Sequence, residues 1–359
     1  LYGGLKAVAL TDIVQVTLLV LGGLVISYLT LNEIGDGQGV IAGFGVLTER
    51  VPGHFDMILS SDHPFYKDLP GISVLVGGMW IANLSYWGFN QYIIQRALAA
   101  KNIGEAQKGV VFAAYLKLLM PVIIVLPGIA AVVLAPDLAK PDEAYPTMMR
   151  LLPPGLLGLV FAALIAAIIA STASKINSIA TIFTLDLYAK ARGMRVQMDA
   201  DTPGSGHEKH LVLVGRVVAA VAVVIALLTA RPLLGKSDQA FQFIQEFSGF
   251  FTPGITVIFL LGLFWKKASE VGAIAAAIAS VVLSYIFKMW MPEIPFMNRM
   301  GIVFLASLAL AIVLSLLFKG RGDANRVTMD GVSFRTSGAF NLAGVGVMLI
   351  LIALYATWW

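Results

Sequence analysis

The chain has 359 residues, of which 58% are hydrophobic and only 13% are charged, and its formal net charge is +4. This composition excludes an ordinary soluble globular protein, and the mild, unevenly placed positive charge does not indicate nucleic-acid binding. Because the sequence contains no cysteine, disulfides, thiol catalysis and cysteine-based metal sites are excluded.

Runs of about twenty mostly apolar residues recur along the chain, and each is long enough to cross a bilayer as a helix. These runs do not alternate between polar and apolar residues as the strands of a transmembrane barrel do. The sequence therefore predicts an all-α polytopic membrane protein. We predict nine spanning segments, at roughly residues 7–30, 71–95, 109–135, 155–187, 211–230, 239–265, 271–291, 301–318 and 339–358.

The charges of the loops predict the orientation of these segments. The loop at 31–70 is mainly acidic, whereas basic residues follow every even-numbered segment, which predicts that the even segments end in the cytoplasm. We expect a multi-pass protein of the plasma (inner) membrane with its C-terminus outside. Because the chain begins at Leu1, almost inside a spanning segment, we expect it to be the C-terminal part of a longer protein. The basic loop residues are Arg96, Lys101, Lys108, Lys190, Arg192, Arg195, Lys266, Lys267, Lys319, Arg321, Arg326 and Arg335.

The first segment carries an acidic side chain near its predicted cytoplasmic end. Asp12 follows Thr11 and lies about one turn inside the membrane. A carboxylate at this place is suited to be a waypoint for a cation that leaves toward the cytosol. The alternative is an interfacial cap near the start of the helix, and the sequence leaves both interpretations open.

The second segment concentrates polar and aromatic side chains in an apolar run. Asn83, Tyr86, Trp87 and Asn90 are spaced i, i+3, i+4 and i+7, which predicts that they share one helical face. Aromatic rings pack against the C–H face of a sugar, and amides bond its hydroxyls, so this face is typical of a polar-ligand site. Gly88 indicates a helix break that frees backbone groups for a ligand. The alternative is an aromatic belt at the membrane interface.

The third segment contains one lysine, Lys117, about a third of the way in from the predicted cytoplasmic end. An unpaired lysine at a helix centre costs about 2.5–3.5 kcal/mol on insertion scales. We therefore expect Lys117 to make hydrogen bonds to a substrate or a gate. The alternative is that its ammonium group reaches the cytoplasmic surface along an extended side chain.

The fourth segment carries a stripe of small residues, some with hydroxyl groups. Hydroxyl oxygens and freed carbonyls are ligands that suit a small alkali cation. The alternative is close helix packing, which needs the same small residues. Near the end of this segment, Asp186 and Lys190 are spaced i, i+4 and predict a surface ion pair. The stripe consists of Ala167, Ser171, Ser174 and Ser178, with Thr172 beside it.

In the sixth segment, Phe241 and Gln245 lie one turn apart on the same predicted face. Pro253 and Gly254 follow and predict a kinked or unwound helix. An amide above such a break again suits a ligand rich in hydroxyl groups. Glu246 is expected to face the outer water.

Several stretches of the chain resemble the sodium/solute symporter family. GGLKAVALTDIVQ (Gly3–Gln15) and GLFWKKASEVGA (Gly262–Ala273) resemble the two signatures of that family. Within the family, YWGFNQYIIQRALAAKN, AAYLKLLMPVIIVLPG and FTLDLYAKAR are similar to the sodium/glucose branch. The resemblance extends along essentially the whole chain.

The resemblance implies the leucine-transporter fold, which consists of two five-helix inverted repeats with additional helices outside the core. Residues 1–30 would form the last helix of the first repeat, and 31–70 an extracellular loop. Residues 71–265 would form the second repeat, and 266–359 peripheral helices. The first four core helices, which carry half of both binding sites, would then lie outside this chain.

The resemblance also assigns roles to particular residues. It implies that Asn83, Tyr86, Lys117 and Gln245 contact a sugar or its inner gate. Tyr86 would be the inner aromatic gate with Trp87 beside it, and Phe241 would contribute to an outer aromatic gate.

For sodium, the family pattern is a pair of adjacent hydroxyl residues on the fourth segment, and the nearest pair here is Ser171 and Thr172. This pair lies one residue closer to Asp186 than in relatives. Two other assignments therefore compete with it: the positions Ala170 and Ser171, and the position Ser174. Ala167 lies on the same stripe.

The predicted function is sodium-coupled import of galactose or glucose by alternating access, with sodium as the co-transported ion and the lipid bilayer as the environment. A symporter for proline or inositol is the alternative of the same class, and a transport-inactive membrane sensor is one of another class. An intramembrane enzyme using Asp186 and Lys117 is not favoured, because no nucleophile–base pair or metal motif stands at catalytic spacing.

Overall fold

The computed structural model describes residues 4–68, 71–194, 206–234, 239–318, 329 and 332–359, and the regular elements in these residues are helical. Arg195, Lys319, Arg321 and Arg326, on which part of the predicted orientation depends, lie outside the described residues. The first eight α-helices are α1 Gly4–Ile34, α2 Val40–Arg50, α3 Ser73–Val76, α4 Gly78–Leu84, α5 Gln91–Leu98, α6 Ile103–Leu118, α7 Leu126–Leu134 and α8 Ala144–Met149. The next seven are α9 Pro154–Thr181, α10 Gly206–Leu234, α11 Ala240–Gly249, α12 Thr252–Phe264, α13 Glu270–Trp290, α14 Phe296–Leu317 and α15 Gly338–Thr357.

Three π-helical segments and two short 3-10 turns are the remaining regular elements of the described residues. The π-helical segments are Ser85–Phe89, Pro121–Val125 and Ile182–Ala189, and the 3-10 turns are Pro52–His54 and Pro141–Glu143. The wider π-helical turn adds a residue to the helix and commonly marks a functional position. The loop predicted at 31–70 contains the short helix α2.

Seven helices of the described residues are long and apolar enough to cross a membrane, and the bent pair α11–α12 makes an eighth candidate. These eight correspond to the predicted segments one and three to nine, so a multi-pass membrane protein is confirmed. The second predicted segment does not form one long helix. Its backbone is divided at Gly77 between α3 and α4 and again at Asn90, so nine spanning helices are not confirmed.

The chain divides into two compact units. Residues 1–50 and 119–238 form the first unit, and residues 51–118 and 239–359 form the second. The buried core of the first unit lies between α1, α7, α8 and α9. Its members are Ile26, Ala131, Met148, Met149, Leu152 and Val160.

In the first unit, a small side chain lets α1 lie against the π-helical segment 121–125. Gly23 faces Ile123 so closely that a Cβ atom there would overlap the isoleucine side chain. One turn on, the hydroxyl of Ser27 donates to the carbonyl of Val122 at 2.6 Å and to that of Gly23 at 3.0 Å. Small residues and hydroxyl bonds are the usual means of helix association in membranes, where the hydrophobic effect does not drive it.

In the second unit, α14 lies directly against the divided helices α3 and α4. A Cβ atom on Gly78 would overlap the carbonyl of Met297, and the amide of Asn298 donates to the hydroxyl of Ser73 at 2.9 Å. α13 and α14 pack closely as well, because Gly272 leaves no room for a side chain beside Ala311. Helix α14 therefore holds the start of the second predicted segment in place.

The last helix, α15, runs parallel to α6 in the second unit. The Tyr115 hydroxyl donates to the carbonyl of Ala343 at 3.0 Å. At the far end, the Met57 amide donates to the carbonyl of Trp358 at 2.9 Å, and the ring of Phe55 stacks on the Trp358 ring. Trp358, next to the C-terminal residue, thus contacts the loop after α2.

Candidate functional site

The second predicted segment breaks where its polar residues are concentrated. Regular α-helix ends at Leu84, the π-helical turn runs from Ser85 to Phe89, and Asn90 is extended with φ −89° and ψ 115°. The predicted break near Gly88 is therefore confirmed. The prediction that Asn90 completes a single α-helical face is wrong, because the wider π-turn and the extended residue interrupt the 3.6-residue spacing.

Four side chains of the second unit meet at this break, and we call them the aromatic–lysine cluster: Tyr86, Trp87, Tyr92 and Lys117. The hydroxyls of Tyr92 and Tyr86 are 2.9 Å apart, and the rings of Tyr86 and Trp87 meet edge to face at 5.1 Å. The Nζ atom of Lys117 lies 4.7 Å from the centroid of the Trp87 ring. Because Tyr86 is 42% and Trp87 47% exposed, both rings present free surface beside the break.

Three of these four residues were predicted site residues, and the structure brings them together. Tyr92 was not predicted, because its separation of six residues from Tyr86 is not a helical neighbour spacing and becomes a contact only across the break. Asn83 lies one turn before Tyr86 and is exposed. Its amide nitrogen donates to the carbonyl of Met79 at 2.9 Å, within its own helix.

The sixth predicted segment also breaks, between α11 and α12, with a bend of 45°. The kink predicted at Pro253 and Gly254 is confirmed. The buried hydroxyl of Ser280 on α13 lies where the backbone hydrogen bonds between α11 and α12 are interrupted. It donates to the carbonyl of Phe250 at 2.7 Å and accepts from the amide of Gly254 at 3.0 Å. These freed backbone groups are therefore held by the protein itself.

Phe241 and Gln245 lie on α11, and Phe241 is 74% exposed while Gln245 is half-buried. Among the described residues, no hydrogen bond or ring contact joins either side chain to the aromatic–lysine cluster. The expectation that Glu246 faces outer water is wrong. Its carboxylate lies 2.9 Å from Nζ of Lys288 and 2.6 Å from Nη2 of Arg299, because two neighbouring helices place basic side chains beside it.

The predicted sodium ligands lie in the first unit, on α9. Ser171 and Thr172 are exposed, whereas Ser174 is buried and its hydroxyl donates to the carbonyl of Ala170 at 3.0 Å. Ala167 and Ala170 are partly buried. The predicted stripe is thus divided between a buried part and an exposed hydroxyl pair.

Two acidic residues of the first unit were also predicted to carry a role. Asp12 is partly exposed on α1. Asp186 lies 3.6 Å from Lys190, and both side chains are more than half exposed, which confirms a surface ion pair.

Comparison with known proteins gives the family. A sequence profile described as "Sodium:solute symporter family" matches residues 1–280. The chain belongs to this family. The resemblance of the signature stretches is thereby confirmed, and sodium is the co-transported ion that membership implies. A family of sodium-coupled transporters is also consistent with the expectation that the chain is not an enzyme.

Two groups of relatives are similar over most of the chain. It is 46% identical to the "Sodium/glucose cotransporter" of Vibrio parahaemolyticus over 377 residues, which cover 100% of this chain and 67% of that protein. It is 34% identical to the "Sodium/myo-inositol cotransporter 2" of Bos taurus over 312 residues, which cover 79% of this chain and 44% of that protein. The chain thus spans about two thirds of the bacterial relative and less than half of the bovine one.

Replacing Ser280 by alanine tests the hydroxyl that occupies the α11–α12 break. Ser280→Ala leaves the Phe250 carbonyl and the Gly254 amide without their partner in a buried place, so we expect a loss of about 1–3 kcal/mol of stability. The measurement is thermal unfolding of the purified protein in detergent. Ser307→Ala is the matched control, because the Ser307 hydroxyl is equally buried but has no hydrogen-bond partner among the described residues. Equal stability of the two variants would contradict the assigned role.

Proposed function

We propose that the protein imports a sugar, galactose or glucose, together with sodium by alternating access. The observation that carries the proposal is the aromatic–lysine cluster at a helix break, in a chain 46% identical to a protein named sodium/glucose cotransporter. A helix break inside a membrane span supplies backbone groups and a cavity, and transporters commonly place their substrate at such points.

The proposed sugar site uses rings for contact and amides for specificity. Tyr86 and Trp87 provide flat surfaces for the C–H face of the sugar, and Asn83 and Gln245 provide amides for its hydroxyls. A site built to bond a hydroxyl strongly rejects an analogue that lacks it, because its own polar groups are then left unpaired. Lys117 holds Trp87 by its contact with the ring face and offers donors to the substrate or the gate.

The two gates are assigned to aromatic side chains on the two broken segments. Tyr86 is the inner gate, and its bond to the Tyr92 hydroxyl is the contact that must open for release into the cytosol. Phe241, which is largely exposed on α11, contributes to the outer gate. Each gate then moves with one half of a broken helix.

We assign the sodium site to α9, with the hydroxyls of Ser171 and Thr172 as first candidates and Ala167, Ala170 and Ser174 as the competing positions. The exposure of the first two hydroxyls supports this choice, whereas the Ser174 hydroxyl is buried. Sodium binding and sugar binding must then strengthen each other equally.

The membrane potential adds to the driving force for sodium entry. One charge that crosses the membrane gains about 2.3 kcal/mol per 100 mV. On its way to the cytosol, the ion passes Asp12, which we assign as an exit waypoint.

The proposed architecture is the leucine-transporter fold with nine spans, of which the second is broken. Segment two, divided at Gly77 and Asn90, completes the nine spans, and residues 71–265 form the second inverted repeat. The protein lies in the plasma (inner) membrane with its C-terminus outside, which is supported by the contact between Trp358 and the predicted outer loop.

Inositol is the second candidate substrate. The chain is 34% identical, over 79% of its length, to a protein named sodium/myo-inositol cotransporter 2, and this similarity favours inositol as the second candidate. Inositol presents a ring of hydroxyls similar to that of a hexose, so the same rings and amides would serve.

The complete protein in liposomes, with a sodium gradient and radiolabelled galactose, tests the proposal. We expect sodium-dependent uptake that unlabelled galactose or glucose inhibits. Inhibition by myo-inositol with none by the hexoses would establish the second candidate. Inhibition by proline alone would contradict a sugar substrate, and the absence of any sodium-driven uptake would favour a sensor.

Gln245→Ala tests the amide on α11. We expect uptake at a low sugar concentration to fall by about tenfold or more, because the hydroxyl that the amide bonds is left unpaired. The measurement is initial uptake in liposomes at matched protein content. Gln239→Ala, which changes the residue just before the same helix, is the control and should transport normally. Unchanged uptake by the Gln245 variant would remove it from the site.

The pair of substitutions Ser171→Ala and Thr172→Ala tests the ion site. We expect the sodium concentration for half-maximal uptake to rise several-fold, because two oxygen ligands are lost. Thr181→Ala on the same helix is the control, since its hydroxyl donates to the carbonyl of Asn177 and belongs to no predicted site. Unchanged sodium dependence in the double variant, with a shift in Ser174→Ala, would move the site to Ser174.

A further inference from the structure

The short helix α11 has two neighbouring faces with different contacts. Phe241 and Gln245 are four residues apart and form the face that carries the proposed gate and amide. Gln242 and Glu246 are also four residues apart and form the next face, about 100° around the helix. The second face is held by charged and polar groups of the second unit.

Glu246 makes the strongest of these contacts. One carboxylate oxygen lies 2.9 Å from Nζ of Lys288 on α13, and the other lies 2.6 Å from Nη2 of Arg299 on α14. We call these three residues the Glu246 triad. The Glu246 side chain is 22% exposed and that of Arg299 is 11% exposed, so both charges are largely removed from water. Removal of one partner from such a contact is costly, because it leaves a largely buried charge uncompensated.

Two further contacts hold α11 at its ends. Near its start, the amide of Gln242 donates to the Asp68 carboxylate at 2.6 Å. At its end, the Ser280 hydroxyl bridges the break to α12. The Glu246 triad lies between these points, one turn before the break. A ten-residue helix does not keep its form or direction without such tertiary contacts.

The helix that supplies Arg299 also supports the other broken segment. The neighbouring Asn298 donates to the hydroxyl of Ser73 at the start of α3, and Gly301 lies against the backbone of Gly77. One helix, α14, therefore contacts both divided segments of the second unit: the first at the start of α3 and the second one turn before its break.

We propose that Glu246 is a positioning residue whose ion pairs with Lys288 and Arg299 set the direction of α11 and so place Gln245 and Phe241 for the substrate. The proposal rests on the proposed role of Gln245 in sugar binding. Glu246 itself does not touch the substrate. Its carboxylate holds α11 against α13 and α14, so that the adjacent face points in one direction.

The first test is Glu246→Gln in the complete transporter. The amide keeps the shape but not the charge, so α11 is held less firmly and the amide of Gln245 samples more positions. We expect the sugar concentration for half-maximal uptake to rise by about tenfold, while the maximal rate changes much less. Glu246→Asp, which keeps the charge, should recover part of the affinity.

Glu293→Gln is the matched control for this change. Glu293 pairs with Lys67, but its side chain is 80% exposed and that of Lys67 is 55% exposed. Exposed pairs of this kind contribute little, so we expect normal uptake. An equal loss of affinity in both variants would contradict a specific role of the Glu246 triad.

A second readout does not depend on transport. Spin labels at Ile244 and Leu317, introduced through cysteines, report the direction of α11 relative to the far end of α14, and neither residue has an assigned role. Arg299 is 18 residues from Leu317, which corresponds to about 27 Å along the helix. We expect a narrow distance distribution in the otherwise unchanged protein and a broader or shifted one with Glu246→Gln.

The outcomes separate the two proposals. An unchanged distance distribution, or an unchanged half-saturating sugar concentration, would overturn the positioning role of Glu246. If the unmodified protein shows no sodium-driven uptake, the proposed function fails, while the label distances still decide the positioning role. Should Glu246→Gln fail to fold, Lys288→Met replaces it, because the pair with Arg299 remains. We then expect a smaller shift in the same direction, and no shift would contradict the proposal.

Discussion

The structure depends on one constraint: inside a bilayer, every backbone N–H and C=O group must find its partner within the protein. A continuous helix meets this constraint by itself, whereas a broken helix needs a partner from a neighbour. The break between α11 and α12 shows how the chain supplies one. The Ser280 hydroxyl takes the place of the missing backbone bond between Gly254 and Phe250, so both backbone groups have a partner at the break.

The first unit applies the same rule at its own irregular segment. Pro121 has no N–H to donate, and the π-helical turn begins there. The hydroxyl of Ser27 on α1 donates to the carbonyl of Val122 in that turn. Such a bond requires close helices, and Gly23 provides the space one turn earlier. Small residues are therefore needed near the irregular segments: Gly23 lets the helices approach, and this approach lets Ser27 make its hydrogen bond.

The sequence predicted the features that depend on one local segment, and it missed the contacts that depend on residues far apart in the chain. Apolar length predicted eight spans to within a few residues, and Pro253 predicted the α11–α12 kink, because both are properties of a single segment. Glu246 was misplaced because its partners lie 42 and 53 residues further along the chain. Tyr92 was missed for a related reason, since the break at Asn90 redirects the chain and creates a contact that helical periodicity does not contain.

The candidate ion site shows a different limit of sequence reasoning. A stripe of small residues on α9 predicts either helix packing or ion binding, and the pattern alone does not show which residues serve which purpose. Burial divides it here, since Ser174 and Ser178 are covered while Ser171 and Thr172 are exposed. Burial depends on which helices are adjacent, and that information is not contained in one segment.

The position of Lys117 bears on the kind of substrate. A lysine within a span raises the prospect of a carboxylate ligand, because an anion would compensate its charge. Here the ammonium group lies 4.7 Å from the centroid of the Trp87 ring, and the negative face of the ring provides part of that compensation. The site therefore has less need of an anionic group, and its remaining donors suit a neutral hydroxyl. This arrangement supports the proposed sugar or polyol over an amino acid, whose carboxylate would have to compete with the ring for the same charge.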